Sequence, residues 1–172
     1  MAITVGATTI TFNDGTTQST ASGGGGLVTS RVSLSGTSST INVPAGNRIR
    51  VTAVYWGVTA NDGTQISFLV NGATSGYNGR VSSGVTSVYV SARVQAIQPL
   101  GATSDPYAGR VHFYTNGAHV VYVGDGTRTN VGGFGANVST CCGYIATTLA
   151  SITLTSASGT ATLAGQWQLI FE

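Results

Sequence analysis

The sequence predicts an all-β chain, an antiparallel β-sandwich or jelly-roll head with a short N-terminal β arm. Runs of β-branched and aromatic residues alternate with polar ones at period two, and Gly, Asn and Asp separate these runs at turn spacing. Composition disfavours helix: the chain has one Glu, one Met and no Lys, and 25 Gly interrupt nearly every stretch. A hydrophobic fraction of 41% and a mean hydropathy of +0.22 argue against disorder, because disordered chains are poor in β-branched and aromatic residues.

Residues Ala2 to Thr20 hold two short β-like pieces, AITV and TTITF, with only Ile3, Val5, Ile10 and Phe12 as substantial apolar side chains. So little apolar material cannot sustain a core, so the arm must pair with copies of itself or with a larger partner. Ser22 and then Gly23 to Gly26 make a flexible tether by composition. The chain therefore divides into an arm (1–22), a Gly linker (23–26) and a β head (27–172).

Within the head, Asn47 to Ala60 places Ile49, Val51, Ala53 and Tyr55 on one face, alternating with Arg48, Arg50, Thr52 and Val54. Asn61-Asp62-Gly63 reads as a tight turn and Gln65 to Val70 as the returning strand. Val85 to Ile97 reads as one strand with Val88, Val90, Ala92 and Val94 on a single face. Arg110 to Val123 is the clearest hairpin: a two-residue Asn116-Gly117 turn sets Val111 and Phe113 on the core side with Val120 and Tyr122. That register also sets Tyr114 opposite His119, with His112 on the same outward face. Ser151 to Thr155 and Gly165 to Glu172 close the head.

Charge excludes several classes of partner. Only 7% of residues are charged, against about 25% in an average soluble protein. All seven basic residues are arginines and they are scattered, giving a formal net charge of +2, so no basic footprint for nucleic acid exists. No apolar run approaches the ~20 residues of a membrane-spanning helix. The N-terminus has neither a basic nor an apolar leader region, so the expectation is a chain made and folded in a cytoplasm. Cys141 and Cys142 are adjacent and are expected as free thiols, because a disulfide wants Cα atoms about 5.5–6 Å apart and neighbours sit about 3.8 Å apart.

The sequence points away from catalysis and names no cofactor. Its acids are Asp14, Asp62, Asp105, Asp125 and Glu172, a poor source for the carboxylate pair of a glycosidase. No Gly-x-Ser-x-Gly elbow occurs, and Gly132-Gly133-Phe134-Gly135 lacks the strand-to-helix setting of a nucleotide loop. Asp-Gly-Thr recurs at residues 14, 62 and 125 and reads as hairpin turn chemistry. His112 and His119 supply two imidazoles without a third ligand in one chain, so no metal site is assigned; convergence in an oligomer stays open. For recognition, the candidate receptor contacts are Tyr77 with Asn78 and Asp105 with Tyr107, each an aromatic beside polar groups in a turn-rich stretch. A lid of tyrosines packed over one end of the head is the structural alternative.

Residues Thr8 to Ala21, TTITFNDGTTQSTA, resemble a recurring segment of bacteriophage tail-fibre and related tail proteins, approximately Ile-x-Phe-x-Asp-Gly-Thr-x-Gln-x-Thr-Ala. The matching positions are Ile10, Phe12, Asp14, Gly15, Thr16, Gln18, Thr20 and Ala21. The ending Gly165-Gln166-Trp167-Gln168-Leu169 is loosely similar to the closing strand of such heads, and Ile170-Phe171-Glu172 departs from their usual finish. The resemblance implies a trimeric virion protein assembled in the host cytoplasm. Ile10, Phe12, Asp14, Gly15, Thr16 and Gln18 then carry attachment to other virion proteins, and the head meets a host surface glycan or protein. Two alternatives stand beside it: a capsid decoration protein whose arm grips the capsid lattice, and a free carbohydrate-binding module.

Overall fold

The computed structural model describes residues 4–5, 10–11, 17–18, 27–44, 50–83, 86–95, 106–129 and 136–172. Among them the chain forms strands and no helix. The first three are β1 (Thr4–Val5), β2 (Ile10–Thr11) and β3 (Thr17–Gln18), which pair as an antiparallel meander, β1-β2-β3, separate from the other sheets. The head follows with β4 (Leu27–Val28), β5 (Val32–Leu34), β6 (Ser38–Asn42), β7 (Arg50–Ala60), β8 (Ile66–Val70), β9 (Tyr77–Ser83) and β10 (Thr86–Val90). It continues with β11 (Val94–Gln95), β12 (Tyr107–Thr115), β13 (Val120–Thr129), β14 (Ala136–Ile145), β15 (Ser151–Ser156) and β16 (Leu163–Phe171). Among the described residues, nine strands form one antiparallel sheet in the order β10-β9-β14-β13-β12-β7-β16-β4, with β5 also on β16. Four form the second, β11-β8-β15-β6. The head is an antiparallel β-sandwich.

The contact between the sheets is aromatic. Phe68 of β8 is fully buried and packs against Tyr55 of β7, Phe113 of β12 and Trp167 of β16, with ring centroids 5.7, 6.2 and 6.1 Å away. The rings are tilted or edge-on, the arrangement their quadrupoles favour. Around them lie Val51, Ala53, Val111, Leu169 and Phe171 from the large sheet, and Ile66, Val70, Ile152 and Leu154 from the small one. The Trp167 Nε1–H donates to Ser39 Oγ at 2.9 Å, so the one polar atom of that indole is satisfied across the layers.

This packing explains where the head departs from the sequence expectations. The turn at Asn61-Asp62-Gly63 exists, but β8 is not the hairpin partner of β7: it pairs with β11 and β15 in the other sheet. Val51, Ala53 and Tyr55 and the stripe Ile66, Phe68 and Val70 bury each other when the strands face, and would share one uncovered surface if they lay side by side. Polar links fix the crossover. Asn61 donates its N–H to Thr162 O and accepts Thr162 N–H on Oδ1, while Asp62 accepts Thr64 N–H and Thr64 Oγ1–H on Oδ1 and Ser158 Oγ–H on Oδ2. Donation by the Thr64 backbone N–H, foremost, holds the Asp62 carboxyl below its usual range.

The run Val85 to Ile97 is likewise broken rather than continuous. A bend at Ser91–Arg93 separates β10 in the large sheet from β11 in the small one, and the Arg93 guanidinium donates to the carbonyls of Ser156 and Ala157 across the gap. Val88 is consequently exposed while Val94 is fully buried. The hairpin of β12 and β13 has a four-residue connection instead of two: Thr115 pairs with Val120 and Tyr114 with Val121. Asn116 Oδ1 accepts the N–H groups of Ala118 and His119, which absorbs the extra residues. The register shift is two, so Val111, Phe113, Val120 and Tyr122 keep the core side.

The cost of removing the aromatic contact follows from this packing. Phe68→Ala should destabilise the head by about 3–5 kcal/mol, as a cavity between rigid sheets cannot collapse. Phe68→Leu should cost less than half of that. Urea denaturation followed by tryptophan fluorescence checks both values.

Candidate functional site

Strand parity gives the large sheet an outer face that the small sheet does not cover. Across it, neighbours in register form one row of Tyr89, Arg80, Cys142, Val123, His112, Thr52, Ile170 and Val28. The adjacent row holds Asn78, Tyr144, Val121, Tyr114 and Arg50. Unlike the outward face of an ordinary half-buried sheet, these rows are largely apolar. Val121 is 50% exposed, Val123 44%, Tyr144 45% and Tyr89 60%. Val138, also exposed, lies further along β14, beyond a polar row of Ser82, Thr140, Asp125 and Arg110.

The polar groups on this face are mostly paired within it. Arg50 forms an ion pair with Glu172, and Arg110 Nε approaches Asp125 Oδ1 at 3.2 Å. Asn78 Nδ2 donates to Tyr144 Oη at 3.3 Å, and the His119 ring lies 6.5 Å from that of Tyr144. His112 sits 6.3 Å from the Tyr114 ring, and its Nδ1 is 2.9 Å from Thr52 Oγ1, which it covers. Partial burial first, then the Arg110 and Arg50 charges, press the His112 pKa below its ordinary value.

The residues singled out in the sequence are placed unevenly. Tyr77 and Tyr107 are not loop residues open to a receptor: each begins a strand and each is buried in the core, at 2% and 4% exposure. The Tyr77 Oη accepts Val70 N–H at 2.7 Å and donates to Ala73 O at 3.2 Å, bracing the turn after β8. Burial pushes its phenol pKa up. Of the two proposed contact pairs, Asn78 remains exposed and joins the outer face, while Asp105 lies outside the described residues. Ile10 and Gln18 are strand residues of the arm and face each other in register; Phe12, Asp14, Gly15 and Thr16 lie outside the described residues, as do Gly23 to Gly26. His112 lies on β12, while His119 ends the connection to β13, so they no longer share a strand pair.

Cys141 and Cys142 are both free thiols. Consecutive strand residues point to opposite faces, which leaves Cys141 in the core with its pKa pushed up to about 12 by burial, and Cys142 exposed among the outer rows. Among the described residues, no three His, Cys, Asp or Glu side chains gather as a metal site. The arrangement is suited to contact: an outward face of tyrosine and valine with its charges mostly paired. A signal for it lay in the sequence. Val120-Val121-Tyr122-Val123 is apolar at both parities, as in strands covered on both sides.

Two outcomes follow. Tyr77→Phe should cost about 1–3 kcal/mol through the unpaired Val70 N–H, and Tyr77→Ala about 3–5 kcal/mol, measured by urea denaturation. His112 has a lower pKa folded than unfolded, so the unfolded chain binds more protons and stability falls as pH drops through about 6.5 and below. His112→Gln should flatten that fall between pH 7.5 and 5.5, as thermal unfolding across the range checks.

Compared with known proteins, the chain matches no family model, no curated protein and no solved structure.

Proposed function

We propose that this chain is a structural virion protein of a bacteriophage, a short trimeric tail fibre or adhesin. It attaches to the tail by its N-terminal arm and turns its β head towards the host surface. The observation that carries this reading is the division of labour along the chain. The arm's three two-residue strands pair with one another, and the core cluster of the head lies between Leu34 and Phe171. An arm with so little of its own to bury is suited to a surface supplied by other chains. Its segment from Ile10 to Ala21 is the one that resembles phage tail proteins. The lysine-free, Ser/Thr/Gly-rich and weakly charged composition suits a chain whose surface largely becomes contact.

The test is deletion of Met1 to Ala21 in the phage. The truncated head should keep its near-UV circular dichroism, yet be missing from purified particles. Labelled electron microscopy of the full chain should mark the tail. A label spread over the capsid, with particles lacking the protein becoming fragile to heat or osmotic shock, replaces this reading with that of a capsid decoration protein.

A further inference from the structure

The outer face of the large sheet is built as if covered, and the structure supplies its dimensions and chemistry. Seven strands from β10 to β16, about 4.8 Å apart, and five residues along each at about 3.3 Å give a footprint of roughly 30 by 17 Å. Turned towards a threefold axis, that is about 500 Å² per copy, or about 1,500 Å² over a trimer, which reaches the area of a standard protein interface. The charge pattern agrees with burial against a like surface. Arg50 and Arg110 are neutralised by Glu172 and Asp125 on the same face, so two copies would meet with little repulsion. Arg80 stands in register between Tyr89 and Cys142, and a guanidinium among tyrosines is the cation that interfaces tolerate best. At the centre, Val121 and Val123 are apolar side chains on a strand whose other face is already in the core.

We infer that this face is the contact between copies of the chain, with Val121, Val123, Tyr114 and Tyr144 at its centre. The inference rests on the reading that copies assemble, and adds which surface they use. A nucleic acid does not fit, since among the described residues the face offers one arginine, Arg80, outside an ion pair. A bound sugar would leave most of so broad an apolar area wet.

Cys142 lies in register with Val123 and is exposed in the single chain, whereas Cys141 is buried, so one thiol reports on the face. The full chain should sediment as an oligomer at micromolar concentration. Its Cys142 should react with a water-soluble maleimide at least about tenfold more slowly than in the double variant Val121→Glu/Val123→Glu. Both positions have room for glutamate in one chain, so the variant should keep its near-UV spectrum and lose the protection of Cys142. Should it fail to fold, Val121→Thr/Val123→Thr retains shape and β-propensity, and should weaken association by about tenfold or more. A monomeric wild-type chain overturns the inference. So does a wild-type oligomer whose Cys142 reacts as fast as in the variant, because copies then meet elsewhere; that second result leaves the virion reading standing, which the particle experiment decides separately.

Discussion

Phe68 projects from the small sheet into a space bounded by Tyr55, Phe113 and Trp167, all of the large one, and the head is arranged around that contact. Tilted ring pairs contribute about 0.5–1.5 kcal/mol each beyond the area they bury. More important is the geometry they impose. A strand carrying Phe68 inward must lie opposite β7 rather than beside it, so the short connection through Asn61 and Asp62 has to bridge two layers instead of closing a hairpin. Trp167 then places its indole N–H against Ser39, and the layer spacing is set from both sides.

Crossing between layers repeatedly leaves many turns at the ends of the sandwich, and side chains hold them. At one end Asp62 gathers Thr64 and Ser158. After β8, Asn71 adopts a φ of +53° and its Oδ1 accepts the N–H groups of Ala150 and Ser151 while Nδ2 donates to Thr148 O. Tyr77 braces that turn from the core side. The abundance of Ser, Thr and Asn is thus partly structural, because these side chains supply backbone partners where the ladders stop. It also leaves little charge on the surface, which makes the valine and tyrosine rows outside β12, β13 and β14 the main exposed apolar feature among the described residues.

Alternation along single strands was legible. Val51, Ala53, Tyr55, Val111, Phe113, Val120 and Tyr122 all bury as their parity requires, and the adjacent cysteines stay reduced for a reason of chain geometry alone. Layer membership was not legible, because the choice between lying beside a strand and facing it is made by side chains distant in sequence; β8 and β11 went to the other sheet for that reason. The candidate contact residues were obscured by glycine. Gly76, Gly79 and Gly109 make the surroundings of Tyr77 and Tyr107 look like turns. In the fold Gly79 and Gly109 are mid-strand positions that leave room for the rings of Tyr122 and Tyr55. The both-sided apolar run in β13 was visible, but its meaning depends on knowing that only one side faces the small sheet.

The berth of Tyr122 has a consequence for how this chain can change over time. A Cβ at Gly79 would lie 2.9 Å from the ring's Cζ and closer still to its Oη, and one at Gly143 would also meet the same hydroxyl. Neither glycine can accept a side chain while the tyrosine is present, and removing the tyrosine alone leaves a cavity beside two residues that cannot fill it. Sequence drift at Gly79 and Tyr122 is therefore ordered. At Gly79 the ring must shrink first, at a loss, before a side chain can grow to recover it. Gly143 stays a glycine whatever the ring does, because the backbone Asn78 O and Gly79 Cα stand 2.5 Å from where its Cβ would lie. Two sites two strands apart in the sheet are bound to a common history although the chain separates them by 43 positions.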